Sequence, residues 1–183
     1  MKPSVRCLAP LLALLLAVPA PGFESGELLK ATCVLANGPA EGLIIFTEKV
    51  GKGKTLIHGN VRGLGPHSKH GFHVHSQPIT NGNCSSAGGH YNPFNATHGG
   101  RLSEERHVGD LGNIHSDAYG ISQFKFIDRI VSLSDPETSV VNHSVVVHAA
   151  EDDHGLGGDA GSLATGNAGA RIGCCVIEQQ QKL

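Results

Sequence analysis

The sequence predicts an all-β domain, a sandwich or barrel of antiparallel strands interrupted by two long loops. Apolar and polar residues alternate over short runs bounded by Gly, Pro and Asn, and no stretch sustains a helical period. Twenty-five glycines and no tryptophan suit thin, turn-rich layers better than packed helices. At 183 residues the chain is long enough for one domain with a sizeable core, not two.

The N-terminus is read apart from that domain. Lys2 and Arg6 precede an almost wholly apolar run, 7–18, which is followed by Val18-Pro19-Ala20-Pro21-Gly22. This pattern predicts a secretory signal peptide over 1–22, too short to span a membrane, and a mature domain over 23–183. Losing Lys2 and Arg6 leaves 12 basic against 16 acidic residues, a net charge of −4. No basic stripe, aromatic platform or lysine-rich tail points to nucleic acid or a membrane surface, so neither partner is expected.

Within the mature part, eight strands are expected at 28–35, 42–48, 55–61, 71–75, 110–115, 121–126, 144–148 and 170–177. Turn residues separate them: Asn37-Gly38-Pro39, Gly51-Lys52-Gly53, Gly63-Leu64-Gly65-Pro66 and Asp117-Ala118-Tyr119-Gly120. Two irregular stretches, 76–108 and 149–169, exceed ordinary loop lengths, which marks them as functional or disordered. The first carries most metal-ligand candidates and reads as ordered. The second is rich in Gly and acid, and its composition alone reads as a flexible solvated loop.

Loss of Cys7 leaves Cys33, Cys84, Cys174 and Cys175. An even count in a secreted chain favours disulfides, with three pairings open. Cys174 and Cys175 adjoin in a strand, so they face opposite sides and need separate partners. Asn142 and Asn95 head Asn-x-Ser/Thr triplets and are glycosylation candidates, Asn142 the better; Asn83, beside a cysteine, is the weakest.

The densest chemistry lies between Gly71 and Asp110, where forty residues hold five histidines and one aspartate of ligand type. His73 and His75 alternate with Val74, so both rings leave one face of a strand; alone, such a pair is a weak signal. His148 ends another apolar strand and could reach the same ion. His90, His98, His107 and Asp110 supply three nitrogens and one oxygen, enough to close a tetrahedral zinc shell with no open position. His90 can serve two ions because imidazole has two nitrogens. Asp152 is expected to orient ligand histidines of both sites from behind.

Taken together in this order, Gly71-Phe72-His73-Val74-His75, Cys84-Ser85-Ser86-Ala87-Gly88-Gly89-His90-Tyr91-Asn92-Pro93, His107-Val108-Gly109-Asp110-Leu111-Gly112-Asn113, Val146-Val147-His148 and Gly166-Asn167-Ala168-Gly169-Ala170-Arg171 closely resemble the copper/zinc superoxide dismutases, across about 32–177. The resemblance implies an eight-stranded Greek-key barrel. It also implies copper on His73, His75, His90 and His148, and zinc on His90, His98, His107 and Asp110 with His90 as the bridge. Arg171 would position the superoxide anion. Cys84–Cys174 is the implied family disulfide; Cys175 stands where glycine is usual, so a second bridge, Cys33–Cys175, is expected. The implied reaction is dismutation of superoxide to oxygen and hydrogen peroxide by copper(II)/copper(I) cycling, in a secreted, extracellular member.

Two departures stand out. The stretch Asp159–Thr165 carries no lysine where relatives often do, so anion steering should rest more heavily on Arg171. Ser76-Gln77-Pro78-Ile79 and the polar tail after Ile177 alter surfaces where relatives pair, so a homo-oligomer is expected without commitment to the common dimer. The competing readings are a non-catalytic secreted copper/zinc-binding module and a zinc hydrolase. The presence of every ligand and of Arg171 disfavours the first, and the closed zinc set disfavours the second. His70 is expected to pack or hydrogen-bond beneath the copper strand.

Overall fold

A computed structural model describes residues 26–181; the expected signal peptide, 1–22, lies outside the described residues. Nine strands form two antiparallel sheets: β1 (Leu28–Leu35), β2 (Glu41–Lys49), β3 (Thr55–Arg62), β4 (Lys69–His75), β5 (Asp110–His115), β6 (Ser122–Asp128), β7 (Ser144–His148), β8 (Arg171–Val176) and β9 (Glu178–Gln179). One sheet runs β6-β3-β2-β1-β9 and the other β5-β4-β7-β8. The chain changes sheets between β3 and β4, between β5 and β6, between β6 and β7, and between β8 and β9. That crossing pattern is the Greek-key sandwich.

Alternation sets the layers. In β1, Leu29, Ala31, Cys33 and Leu35 are buried while Leu28, Lys30 and Val34 face out. Ile44 and Phe46 of β2 and Ile57 and Val61 of β3 continue that inner face, and Phe72 and Val74 of β4 meet them from the opposite sheet. Burying each such side chain contributes about 1.5–3 kcal/mol. β7 reads Ser144-Val145-Val146-Val147-His148 and is buried throughout, as befits a central strand covered on both faces.

Two disulfides tie the layers. Cys33–Cys175 links β1 to β8 across the two sheets, and Cys84–Cys174 ties the first long loop to β8. Adjacent in β8, Cys175 enters the main core, while Cys174 joins a small cluster with Ala87 and Val146.

Three features differ from the sequence expectation. β9 is a ninth, two-residue strand, with Ala31 opposite Gln179 and Thr32 opposite Glu178. The acidic loop read as flexible is ordered and contains α1 (Ala160–Thr165), capped by Asp159, whose side chain accepts from Ser162 N, and ended by Gly166 at φ 66°. The third is a 3-10 turn over Cys84–Ala87 inside the first loop. Asn83 caps that turn, its side chain accepting from Ser85 N.

Candidate metal centre

β4 and β7 pair with Val74 opposite Val145 and His75 opposite Ser144, which brings His73, His75 and the terminal His148 to one face of the four-stranded sheet. The first long loop then doubles back along β4. Tyr91 N donates to Val74 O (2.8 Å), Ser76 N to Gly89 O (2.9 Å) and Val74 N to Gly109 O (2.8 Å). His90 is thereby set against His75, with ring centroids 5.0 Å apart, and against His73 at 4.2 Å. A register shift between β4 and β5 interrupts their pairing from Gly71 to His73. Gly71 is required there: a Cβ on it would lie 2.6 Å from Ala168 Cβ and 3.0 Å from the His73 ring.

Two four-residue clusters result. His73, His75, His90 and His148 form one; His90, His98, His107 and Asp110 form the other, each with its donor atoms within 4.8 Å of one another and every residue buried. His90 belongs to both. Asp152 lies behind, its Oδ2 accepting from His73 Nε2 (2.9 Å) and its Oδ1 from His98 Nε2 (2.8 Å).

The hydrogen bonds fix which ring nitrogen of each histidine is left to bind a cation. His75 Nδ1 donates to Gly88 O (2.9 Å), His148 Nδ1 to Gly169 O (3.0 Å) and His107 Nε2 to Ala96 O (3.1 Å). A carbonyl can only accept, so those nitrogens carry the proton and the other nitrogen presents its lone pair. His73 and His98 spend Nε2–H on the Asp152 carboxylate, leaving Nδ1. His90 alone has no such partner: Nδ1 lies 2.8 Å from Asp110 Oδ1, on the second cluster's side, and Nε2 is buried with no partner.

Lone pairs consequently face lone pairs. His75 Nε2 and His148 Nε2 are 3.3 Å apart, and His107 Nδ1 is 3.1 Å from Asp110 Oδ1. His73 Nδ1, His90 Nε2 and His98 Nδ1 are buried without hydrogen-bond partners; His98 Nδ1 lies 3.0 Å from Asp110 Oδ1 but off the axis of a hydrogen bond. Acceptors that converge without donors fit a cation between them, so both clusters suit metal ions.

The electrostatics agree. Burial, then the neighbouring His90, pushes His73 down to about 3 and His75 to about 2. Burial likewise lowers His148 to about 4 and lowers His90. These rings stay neutral at physiological pH, as ligands must. Burial pushes the Asp110 carboxyl up, but the His107, His90 and His98 rings packed around it outweigh burial and hold it well below the usual carboxylate range. Gly99 N and His107 N also donate to Asp110 Oδ2, at 3.0 and 2.8 Å. For His98, burial opposes the charged form, yet Asp110 and Asp152 raise it to about 9. A metal ion bound at the second cluster would displace that proton.

Arg171, opposite His148 at the start of β8, is half-buried. Its Nη1 donates to Cys84 O (2.6 Å) and its Nη2 to Gly88 O (2.5 Å), so the Cys84–Cys174 disulfide also positions the guanidinium. The lowering it exerts on His75 and His148 places it within electrostatic reach of the first cluster.

Two supporting residues, Asn113 and Arg106, were not singled out by sequence. Asn113 clamps the Asp152 backbone, its Nδ2 donating to Asp152 O and its Oδ1 accepting from Asp152 N, both at 2.8 Å. Arg106 donates from Nη2 to both carboxylate oxygens of Asp128 (2.8 and 2.7 Å) and from Nη1 to Asp110 O. His70, expected to pack or hydrogen-bond beneath this strand, does hydrogen-bond: it donates from Nδ1 to His148 O (2.8 Å), with Nε2 2.8 Å from Ser68 Oγ. Asn113 sits in a motif already quoted and Arg106 adjoins His107, but neither residue type announces such a role.

A Greek-key β-sandwich with two buried donor clusters sharing one imidazole defines a two-metal protein. Residues 40–177 match the family model for copper/zinc superoxide dismutase (SODC). The chain is 47% identical over 141 residues to "Superoxide dismutase [Cu-Zn]" of Paramecium bursaria Chlorella virus 1, covering 77% of this chain and 74% of that protein. Against the proteins of the same name from Cryptococcus neoformans and Kluyveromyces lactis, identity is 44% and 45% over 151 residues, covering 82% of this chain and 97% of each relative. The chain belongs to the copper/zinc superoxide dismutase family. It is an enzyme that uses copper and zinc to convert superoxide to oxygen and hydrogen peroxide.

Proposed function

We propose a division of labour among the residues of this centre. His73 Nδ1, His75 Nε2, His148 Nε2 and His90 Nε2 hold copper; His90 Nδ1, His98 Nδ1, His107 Nδ1 and Asp110 hold zinc. The observation that carries it is the hydrogen-bond pattern: every other ring has one nitrogen assigned to a carbonyl or to Asp152, whereas His90 turns Nδ1 to Asp110, a member of the second cluster, and leaves Nε2 unpartnered on the side of the first. The chemistry copper supplies when bound is one-electron exchange, oxidising one superoxide and reducing the next. Zinc has no redox cycle, so the second cluster is structural and fixes His90 from behind.

Arg171 has its guanidinium fixed by two carbonyls and presents its remaining N–H groups to the anion, raising the local superoxide concentration in a chain of net negative charge. His90 can hold a proton at Nε2 while Nδ1 stays on the Asp110 side, which supplies a proton acceptor and donor beside the substrate. Asp152 keeps His73 and His98 in the tautomer that exposes Nδ1.

Site-selective metal loss tests the assignment. His98→Ala should lose zinc and keep copper, His148→Ala should lose copper and keep zinc, and His90→Ala should weaken both. Loss of copper with retention of zinc in His98→Ala would overturn it.

The proposal includes a secreted, extracellular location, with 1–22 removed on export. The leader composition and two disulfides among the remaining four cysteines support an oxidising compartment. N-terminal sequencing of protein from the culture medium checks it, and retention of Lys2 would contradict it. A homo-oligomer is supported by Val34 and Leu43, cross-strand neighbours that are 62% and 41% exposed. Among the described residues no helix is long and apolar enough to cross a membrane.

A further inference from the structure

Away from Arg171, on the outer side of the Asp152 loop, lies a second polar cleft of about 540 Å³. Its walls come from four segments: the start of β4, the loop after His98, the outward face of β5 and the loop after His148. Each contributes a basic side chain, respectively Lys69, Arg101, His115 and His154. Ser103 adds a hydroxyl. The lining carries one carboxylate, Glu151, and it is paired with Lys69 at 2.6 Å. Arg101 therefore leaves the cleft with surplus positive charge in a chain whose acidic residues outnumber its lysines and arginines, 16 to 14.

The donors are held in place. The Arg101 guanidinium sits 4.7 Å from the Phe126 ring centroid and donates from Nη1 to Ile127 O (3.2 Å), which fixes its plane and leaves its other N–H groups for a ligand. His154 Nε2 is 3.0 Å from Asn113 Nδ2, an amide nitrogen that can only donate, so the His154 proton sits on Nδ1 and that edge is a donor too. Gly100 keeps the floor narrow: a Cβ there would meet the His154 ring at 3.0 Å. N–H and O–H donors lining one cleft, two of them fixed in place, with one unmatched cation suit a tetrahedral oxyanion, which a planar guanidinium can meet bidentately.

We propose that this cleft binds a phosphate or sulfate group. Its volume exceeds that of a bare ion, so it has room for the group to be carried by a larger molecule such as a phosphate monoester or a sulfated sugar. It shares no lining residue with the depression beside Arg171, so occupancy leaves the superoxide path open.

Calorimetric titration of the metal-loaded protein at low salt tests this, with three separate probes: inorganic phosphate, inorganic sulfate and a heparin-derived sulfated disaccharide. Saturable one-to-one binding of at least one probe is expected, and the tightest identifies the source of the group. Binding should weaken at least tenfold in Lys69→Gln/Arg101→Gln. Ser103→Asp, which places a negative charge in the cleft without removing the Arg101 contacts, should abolish it. Arg62→Gln, on the opposite sheet, and Arg171→Gln should leave it unchanged, and dismutation by Ser103→Asp should equal that of the unaltered protein. No saturable binding by any probe, binding unaffected by both cleft variants, or binding lost in Arg171→Gln alone would overturn the proposal.

Discussion

Replacing Asp152 by Asn should cost metal affinity although Asp152 sits behind the ligands of both clusters. The carboxylate is fully buried and accepts from His98 Nε2 at 2.8 Å, His73 Nε2 at 2.9 Å and His154 N at 2.7 Å. An amide keeps one oxygen and turns the other position into a donor. One ring then meets an N–H with its own N–H. To escape, that ring moves its proton to Nδ1, the nitrogen that must bind the ion. The lost charge-assisted hydrogen bond is worth about 1.5–3 kcal/mol, which converts to roughly 10–100-fold in affinity and matches the usual effect of losing a partner behind a metal ligand. Competition against a chelator at fixed pH, for each metal separately, reads the change. Affinities for both ions within twofold of the unaltered protein would refute the tautomer reasoning. Loss at one site with little change at the other is also compatible, because the remaining oxygen can serve one ring.

Arg171→Gln should lower kcat/KM at least tenfold and flatten its dependence on ionic strength, with copper and zinc content unchanged; an unaltered salt slope would count against steering by this residue. Removing the inter-sheet bridge with Cys33→Ser/Cys175→Ser should cost about 2–5 kcal/mol in denaturant unfolding while leaving activity per copper intact, since that bridge touches neither cluster. Gly166→Ala should destabilise both folding and metal retention: its φ is 66°, and a Cβ would collide with the Asp152 carboxylate and lie 2.5 Å from His98 Nε2. About 1–3 kcal/mol is expected from backbone strain alone, read by thermal unfolding. In the metal-free protein, His73, His75 and His148 are depressed to about 3, 2 and 4, so below 6.5 the unfolded chain binds protons that the folded one refuses. Stability should therefore fall as pH drops from about 6.5 towards 4, and further once the depressed Asp110 and Asp152 must protonate. His98, raised to about 9, acts oppositely: its contribution is complete below 6.5 and is lost as pH rises through 9. Urea midpoints of the metal-free protein at several pH values check both signs.

Alternation and turn residues located β1, β5 and β7 to the residue, because each is bounded by Gly, Asn or a loop polar run and alternates or is wholly apolar. β4 begins earlier than its apolar pattern: Lys69 and His70 look like loop, yet His70 is buried because its two ring nitrogens find His148 O and Ser68 Oγ. β9 left no signal, since Glu178 and Gln179 are exposed and held only by backbone pairing to β1. α1 is six residues with Ser162 its one buried side chain, too short for any apolar period; caps at both ends make it. Ligand-type residues were legible from identity and order. Their tautomers were not, because the acceptors that set them are backbone carbonyls of Gly88, Ala96 and Gly169, which every residue possesses. The Asn113 clamp escaped for a related reason: it recognises backbone, and backbone position is a product of the fold.

The sharing of the His90 ring between two ions can be read directly by electron paramagnetic resonance with cobalt(II) in place of zinc. If one ring joins both sites, exchange across it should quench the copper(II) signal, and His90→Gln should restore it. An undiminished copper signal in fully loaded copper–cobalt protein would mean the ions do not share that imidazole.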